Sequence, residues 1–182
     1  MHRLDIHPII SKKPLSEAQK GLDCSVDVLE LLEARNYEAF SEYVHPEKGV
    51  IFVPCSYIDY EENAVFTSEQ VKHFGTDNNI YHWGFPDLSP IPIECTVDEY
   101  FDRFVCDKDY LETRQTEVNR IIRKGNSIEN VEDVYPESIF VDFHDPGTSE
   151  YEGLDWSSLK IVMEIYKGEL KVVAIINSSY TL

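Results

Sequence analysis

Positive charge is scarce in this chain. Sixteen Lys and Arg stand against 34 Asp and Glu among 182 residues, a formal net charge of −18 and a pI near 4.6. Non-specific nucleic-acid binding needs cations that displace counterions from phosphates. A peripheral membrane protein needs basic residues beside anionic lipid. The chain as a whole suits neither partner. Long apolar runs are missing too. No stretch approaches the roughly 18 consecutive apolar residues of a membrane span. The opening MHRLDIHPIISKKPLSEAQK has no apolar segment of the kind an export signal carries. A cytoplasmic protein is the expectation from the sequence as written.

Cysteines are few and unpaired by spacing. Cys24, Cys55, Cys95 and Cys106 contain no CxxC pair and no zinc pattern, so four reduced, buried thiols are the simplest reading. The six histidines show no HxH or HExxH spacing, and no calcium-loop pattern occurs among the abundant acids. GxGxxG, GxxxxGK[ST] and GxSxG are all absent. The sequence therefore points to no metal and no cofactor. The lack of any catalytic motif leans away from an enzyme.

What is present is enough for one core. The hydrophobic share is 42% and the aromatic share 12%, with 11 Tyr and 9 Phe, a composition that favours sheet-rich packing. Residues 1–20 carry a net +2 and read as a lead-in arm with a short helix from Ser16. Residues 21–182 carry −20 and read as a single domain.

Helical spacing of Val28, Leu31 and Leu32 predicts a helix that Asn36 interrupts. A second, short helix carries Tyr37, Phe40, Tyr43 and Val44 up to His45-Pro46-Glu47-Lys48-Gly49. Val50–Val53 reads as a buried strand that Pro54 limits to an edge or a bulge. Thr67–Gln70 and Thr96–Glu99 are capping boxes that open short helices. Between them, Tyr81–Pro86 reads as an aromatic loop or edge. Residues 114–123 form a further candidate strand. Ile139, Val141 and Phe143 alternate with Phe140, Asp142 and His144, a period of two. Leu159–Ile165, a Lys167-Gly168 connection and Leu170–Ile176 then give a strong hairpin signal. Helices followed by strands predict an α+β fold, with N-terminal helices packed on a curved antiparallel sheet.

Several of these segments carry a resemblance. Tyr43-Val44-His45-Pro46-Glu47-Lys48-Gly49-Val50 resembles a segment of a group of uncharacterised bacterial proteins, many of them lipoproteins. Tyr135-Pro136 with the strand to His144, Tyr151–Leu159 and the closing hairpin to Thr181 fit the same group. The resemblance spans roughly residues 25–182. It implies a cystatin-like or NTF2-like cone, in which a helical entry and a bent sheet enclose a pocket. It implies no activity. It also implies an extracytoplasmic setting for the lipoprotein members and a homodimer through the open sheet face.

Acid–base chemistry in such a pocket needs a carboxyl or imidazole inside an apolar cavity. Asp142 and His144 share one face of their strand and would form such a pair if that face lines the cone. Otherwise they lie on a solvent face. Tyr57 and Asp59 would polarise a carbonyl and carry a proton, or else simply end the first strand. His82 and Trp83 would bind or stack on a flat ligand, and Trp156 would line its rim; each is equally a packing residue. Two expectations follow. The leading one is a non-catalytic domain that binds a small molecule or a protein. Its rival is a small-molecule lyase or isomerase. The window Gly125–Leu159 holds nine acids and no Lys or Arg. It reads either as a solvated face or as a docking surface for a basic protein, as in an inhibitor or immunity-type partner.

Overall fold

A computed structural model describes residues 16–87, 89–113 and 115–180. Most of the arm, residues 1–15, lies outside them. So does Thr181, at the end of the closing hairpin.

The chain enters through α1 (Glu17–Glu33). Ser16 caps it, its side chain accepting from the Gln19 N–H. The helix runs unbroken through Gly21, whose Cα faces Ile139 too closely to leave room for a side chain. Asn36 caps α2 (Tyr37–Ser41) through the Ala39 N–H. The turn that follows is organised by His45. Its Nδ1 accepts from the backbone N–H of both Glu47 and Lys48, and its ring packs on Tyr166. The turn closes at Gly49 in the left-handed region, φ +72°.

Six strands form one curved sheet. They are β1 (Val50–Val53), β2 (Ala64–Phe66), β5 (Gln115–Val118), β6 (Ile139–Asp145), β7 (Ser157–Tyr166) and β8 (Glu169–Ser179). The order is β2-β1-β8-β7-β6-β5, antiparallel throughout except for β1 beside β8. β7 and β8 join through Lys167-Gly168, both at positive φ, as a two-residue hairpin that matches strand twist requires. Two short strands, β3 (Tyr81–His82) and β4 (Glu94–Cys95), pair separately. Both capping boxes form, at the starts of α3 (Ser68–Lys72) and α4 (Val97–Tyr100). The last helix, α5 (Val131–Val134), precedes β6.

One expectation is corrected at β1. It is neither an edge nor a bulge but lies between β2 and β8, with all four residues buried. Pro54 stands one residue past its end, where its missing N–H interrupts no ladder.

The sheet buries both faces. On one, α1 lays Val28, Leu29 and Leu32 against Ile139, Val141, Ile161 and Met163. An aromatic cluster fills the rest of that side. Phe52 lies within 6.2 Å of five other rings, those of Phe66, Phe74, Trp83, Tyr100 and Phe101. The opposite face, around Phe140, Val162, Ala174 and Ile176, is covered by Ile58, Val131 and Tyr135. The centre of the sheet is thus not an open face.

Candidate functional site

The polar residues of interest lie under that second cover. Asp142 and His144 point away from α1, yet both are buried, at 0% and 3% exposure. They lie on neither a solvent face nor the helix-lined side, so both expectations for them are corrected. Their strand is buried on both faces because residues 119–135 cross over it. Asn119 pins that crossing with a reciprocal pair of bonds to Phe140, and the Ile122 N–H donates to Asp142 Oδ2.

Strand register assembles the rest. Asp142 is paired with Lys160, His144 with Ser158, and Ser158 with Ser178. Lys160 is fully buried. Its Nζ donates to Glu129 Oε1 at 3.0 Å and to Ser178 Oγ at 2.7 Å. Ser178 also accepts from Ser56 and donates to Glu129. His144 Nδ1 and Ser158 Oγ are 2.8 Å apart. Among the described residues, two carboxylate oxygens in this cluster, Glu129 Oε2 and Asp142 Oδ1, have no hydrogen-bond partner. Burial pushes the Asp142 carboxyl above the usual range, against the pull of Lys160. Burial holds His144 below its ordinary value, helped by Arg123 and Lys160.

Sequence reasoning missed Lys160, Glu129, Ser158 and Ser178. The available signal was a lone cation in the apolar run Leu159–Met163. It lies one residue beyond the acid-only window, and it neutralises an acid inside it. The window is accordingly not one surface. Asp142 and the Glu129 side chain are buried, and Asp145 and Asp155 flank Lys108 at 3.9 Å. Glu132, Asp133, Glu137, Glu150 and Glu152 are the five that are exposed.

The cluster has the groups for proton transfer but no access. Asp142, His144, Ser158 and Lys160 are all at most 3% exposed. A general acid or base must come within about 3 Å of the proton it moves. In this arrangement the side chains bond to neighbouring protein groups, Glu129, Ser178 and the Ile122 N–H among them.

The other predicted residues fall into two groups. Trp83 and Trp156 are core residues. Trp83 stacks on Tyr100 with centroids 3.9 Å apart and donates to the Cys95 carbonyl. Trp156 is 2% exposed, with the Arg123 guanidinium over its ring. Asp155 holds the turn before it by accepting from Thr148. Tyr57 and Asp59, by contrast, share an open groove, and His82 touches two of its other lining residues, Glu62 and Phe85. A groove of about 240 Å³ is lined by Tyr57, Asp59, Glu62 and Phe85, among others. His82 Nε2 lies 3.2 Å from Glu62 and its ring edges onto Phe85. Tyr57 is half exposed, the Asp59 carboxylate accepts from the Glu61 N–H, and the Asp59 N–H donates to the Asn63 side-chain oxygen. The nearby Cys55 thiol is pushed up to about 11, chiefly by burial, and so is not primed as a nucleophile. All four cysteines are free. Among the described residues, no three His, Cys, Asp or Glu are grouped to hold a metal, and no helix is long and apolar enough to cross a membrane.

The class that these features define is an α+β domain with helices packed on a curved, antiparallel-dominated sheet. No protein-family model matches the chain, and no curated protein matches it. The resemblance to the bacterial lipoprotein group therefore gains no support. Among solved structures, the chain is similar to a protein described as a calcium/calmodulin-dependent protein kinase II association domain from Xanthomonas campestris. Identity is 13% over 98% of this chain and 96% of that one, with a TM-score of 0.38. It is also similar to naphthalene 1,2-dioxygenase with indole in its active site, at 9% identity over 93% and 82%, with a TM-score of 0.37. Neither likeness bears on function.

Proposed function

We propose that the chain is a non-catalytic binding domain that engages a protein through its outer surface. One observation carries this reading: the side of the sheet where a cone would hold its ligand is filled by α1 and the Phe52-centred aromatic cluster. The lyase or isomerase alternative needs an acid–base pair open to substrate. Asp142 and His144 are sealed, and Tyr57 and Asp59 lie in a groove open to water. A water-filled groove offers little of the desolvation that tunes catalytic carboxyls.

A thermal-shift screen against a library of small metabolites tests the reading. A specific ligand at 100 times its Kd adds about 2.7 kcal/mol, a rise of several degrees in a chain of this size. No compound is expected to give one. A compound that does, and that perturbs the NMR signals of Phe52 or Trp83, would overturn the surface-binding reading. Cross-linking in the source cells is expected to join the chain to a protein partner.

A further inference from the structure

A groove of about 480 Å³ opens between the first half of α1 and the β5 end of the sheet. Its floor is apolar: Leu22 and Val26 from α1, Tyr110 and Leu111 from the loop before β5, and Phe143 from β6. Leu111 stands 37% exposed. Thr116 lines one side as the cross-strand partner of Phe143. Its strand is the last of the sheet, so among the described residues one edge of β5 pairs with no other strand.

Among the described residues, the charged groups on the rim are acidic. Asp23 and Asp27 project from successive turns of α1, and both are exposed. Asp109 and Glu112 line an adjoining groove that shares Thr113. Among the described residues, none of these four acids has a Lys or Arg partner. Just behind them, Glu33 is pushed above the usual carboxylate range, first by burial and then by Asp109. Negative charge is therefore crowded around an apolar floor, and a cation is its complement.

We propose that this groove docks a peptide segment of a partner protein, one that places lysine or arginine on either side of apolar side chains. The proposal rests on the binding-domain reading above and gives it a site. The apolar side chains cover Leu22, Val26 and Leu111, and the cations meet Asp23, Asp27, Asp109 and Glu112. The outer edge of β5 offers main-chain hydrogen bonds to an extended segment.

Fluorescence anisotropy with a labelled seven-residue peptide of alternating Lys and Leu tests this on the full chain, with a Glu–Leu peptide as control. Saturable binding is expected for the first peptide and none for the second. Reversing two rim charges, Asp23→Lys with Asp27→Lys, is expected to weaken binding at least about tenfold. Leu111→Ala should weaken it severalfold. Glu132→Lys with Asp133→Lys makes the same change in net charge on α5 and should leave binding within about twofold. Circular dichroism checks that each variant is folded. Absence of binding by the Lys–Leu peptide overturns the proposal. So does equal weakening by the two charge-reversal pairs, which would mean attraction to net charge alone. A protein partner cross-linked to another face would end this proposal while leaving the binding-domain reading intact. A small ligand in the aromatic core would end that reading.

Discussion

Lys160 is the residue whose surroundings fix its role most tightly. It is the buried cation between two buried carboxylates, Glu129 and Asp142, each with one oxygen unpartnered among the described residues. Removing one partner of a buried ion pair leaves the other charged in a medium that cannot solvate it, and costs about 3–5 kcal/mol. Lys160→Met is therefore expected to lower the unfolding free energy by that much in a urea titration. Adding Glu129→Gln and Asp142→Asn should recover a large part of the loss. If the single and triple variants are equally unstable, the loss does not come from uncompensated charge on Glu129 and Asp142. A second residue is fixed by backbone alone. Gly49 sits at φ +72°, and a side chain there would begin 2.5 Å from the Phe66 carbonyl oxygen. The left-handed conformation by itself costs about 1–2 kcal/mol for other residues. Gly49→Ala is expected to cost at least that, read as a fall in Tm. The glycine was legible in the sequence as the end of the His45–Gly49 turn. Lys160 was not, because a charge in an alternating strand reads as solvent-facing until something is known to cover that face.

The elements divide by how local their signals are. α3 and α4 were legible because Thr67 with Gln70, and Thr96 with Glu99, cap the helix within four residues. Loss of such a cap costs about 1 kcal/mol. Thr96→Ala is expected to show that in denaturant midpoint, and Thr96→Ser far less. The β7–β8 hairpin was legible for the same reason, its register being set by a two-residue turn. β1 was placed at an edge or a bulge because of Pro54, and nothing within the strand announces that it will lie parallel to β8, some 120 residues later. The segment 119–135 was the costliest omission. It has little period of two or 3.6, and it lies flat by using single side chains as fasteners. Asn130 alone accepts from the Ile58 N–H and donates to the Ile58 carbonyl. Missing that layer is what turned Asp142 and His144 into candidates for a pocket or a solvent face. The α1–β5 groove was equally invisible, since its walls come from three separate parts of the chain.

At the scale of the whole molecule, the large negative charge hides a small internal arrangement whose response to pH can be signed. His144 is buried against Ser158 and Trp156. Arg123 and Lys160 disfavour its protonation, while Asp145 favours it. Its folded pKa lies below the unfolded value of about 6.5. As pH falls through that value, the unfolded chain takes up a proton that the folded chain refuses. Stability is then lost progressively down to the folded pKa. Asp142 has the opposite sign. Its folded pKa is raised, by burial and by Glu129 against the pull of Lys160. Its contribution is full below the unfolded value of about 3.9 and is lost as pH rises through the folded value. Between about pH 7.5 and 5.5 the histidine effect therefore opposes any gain from Asp142. Urea midpoints of the wild type and of His144→Gln at those two pH values separate the two effects. The wild type is expected to lose more stability on acidification than the variant, because the variant has no imidazole for the unfolded state to protonate. Parallel pH profiles would mean that His144 is charged as readily in the fold as out of it. The network under residues 119–135 would then be more open to water than its burial implies.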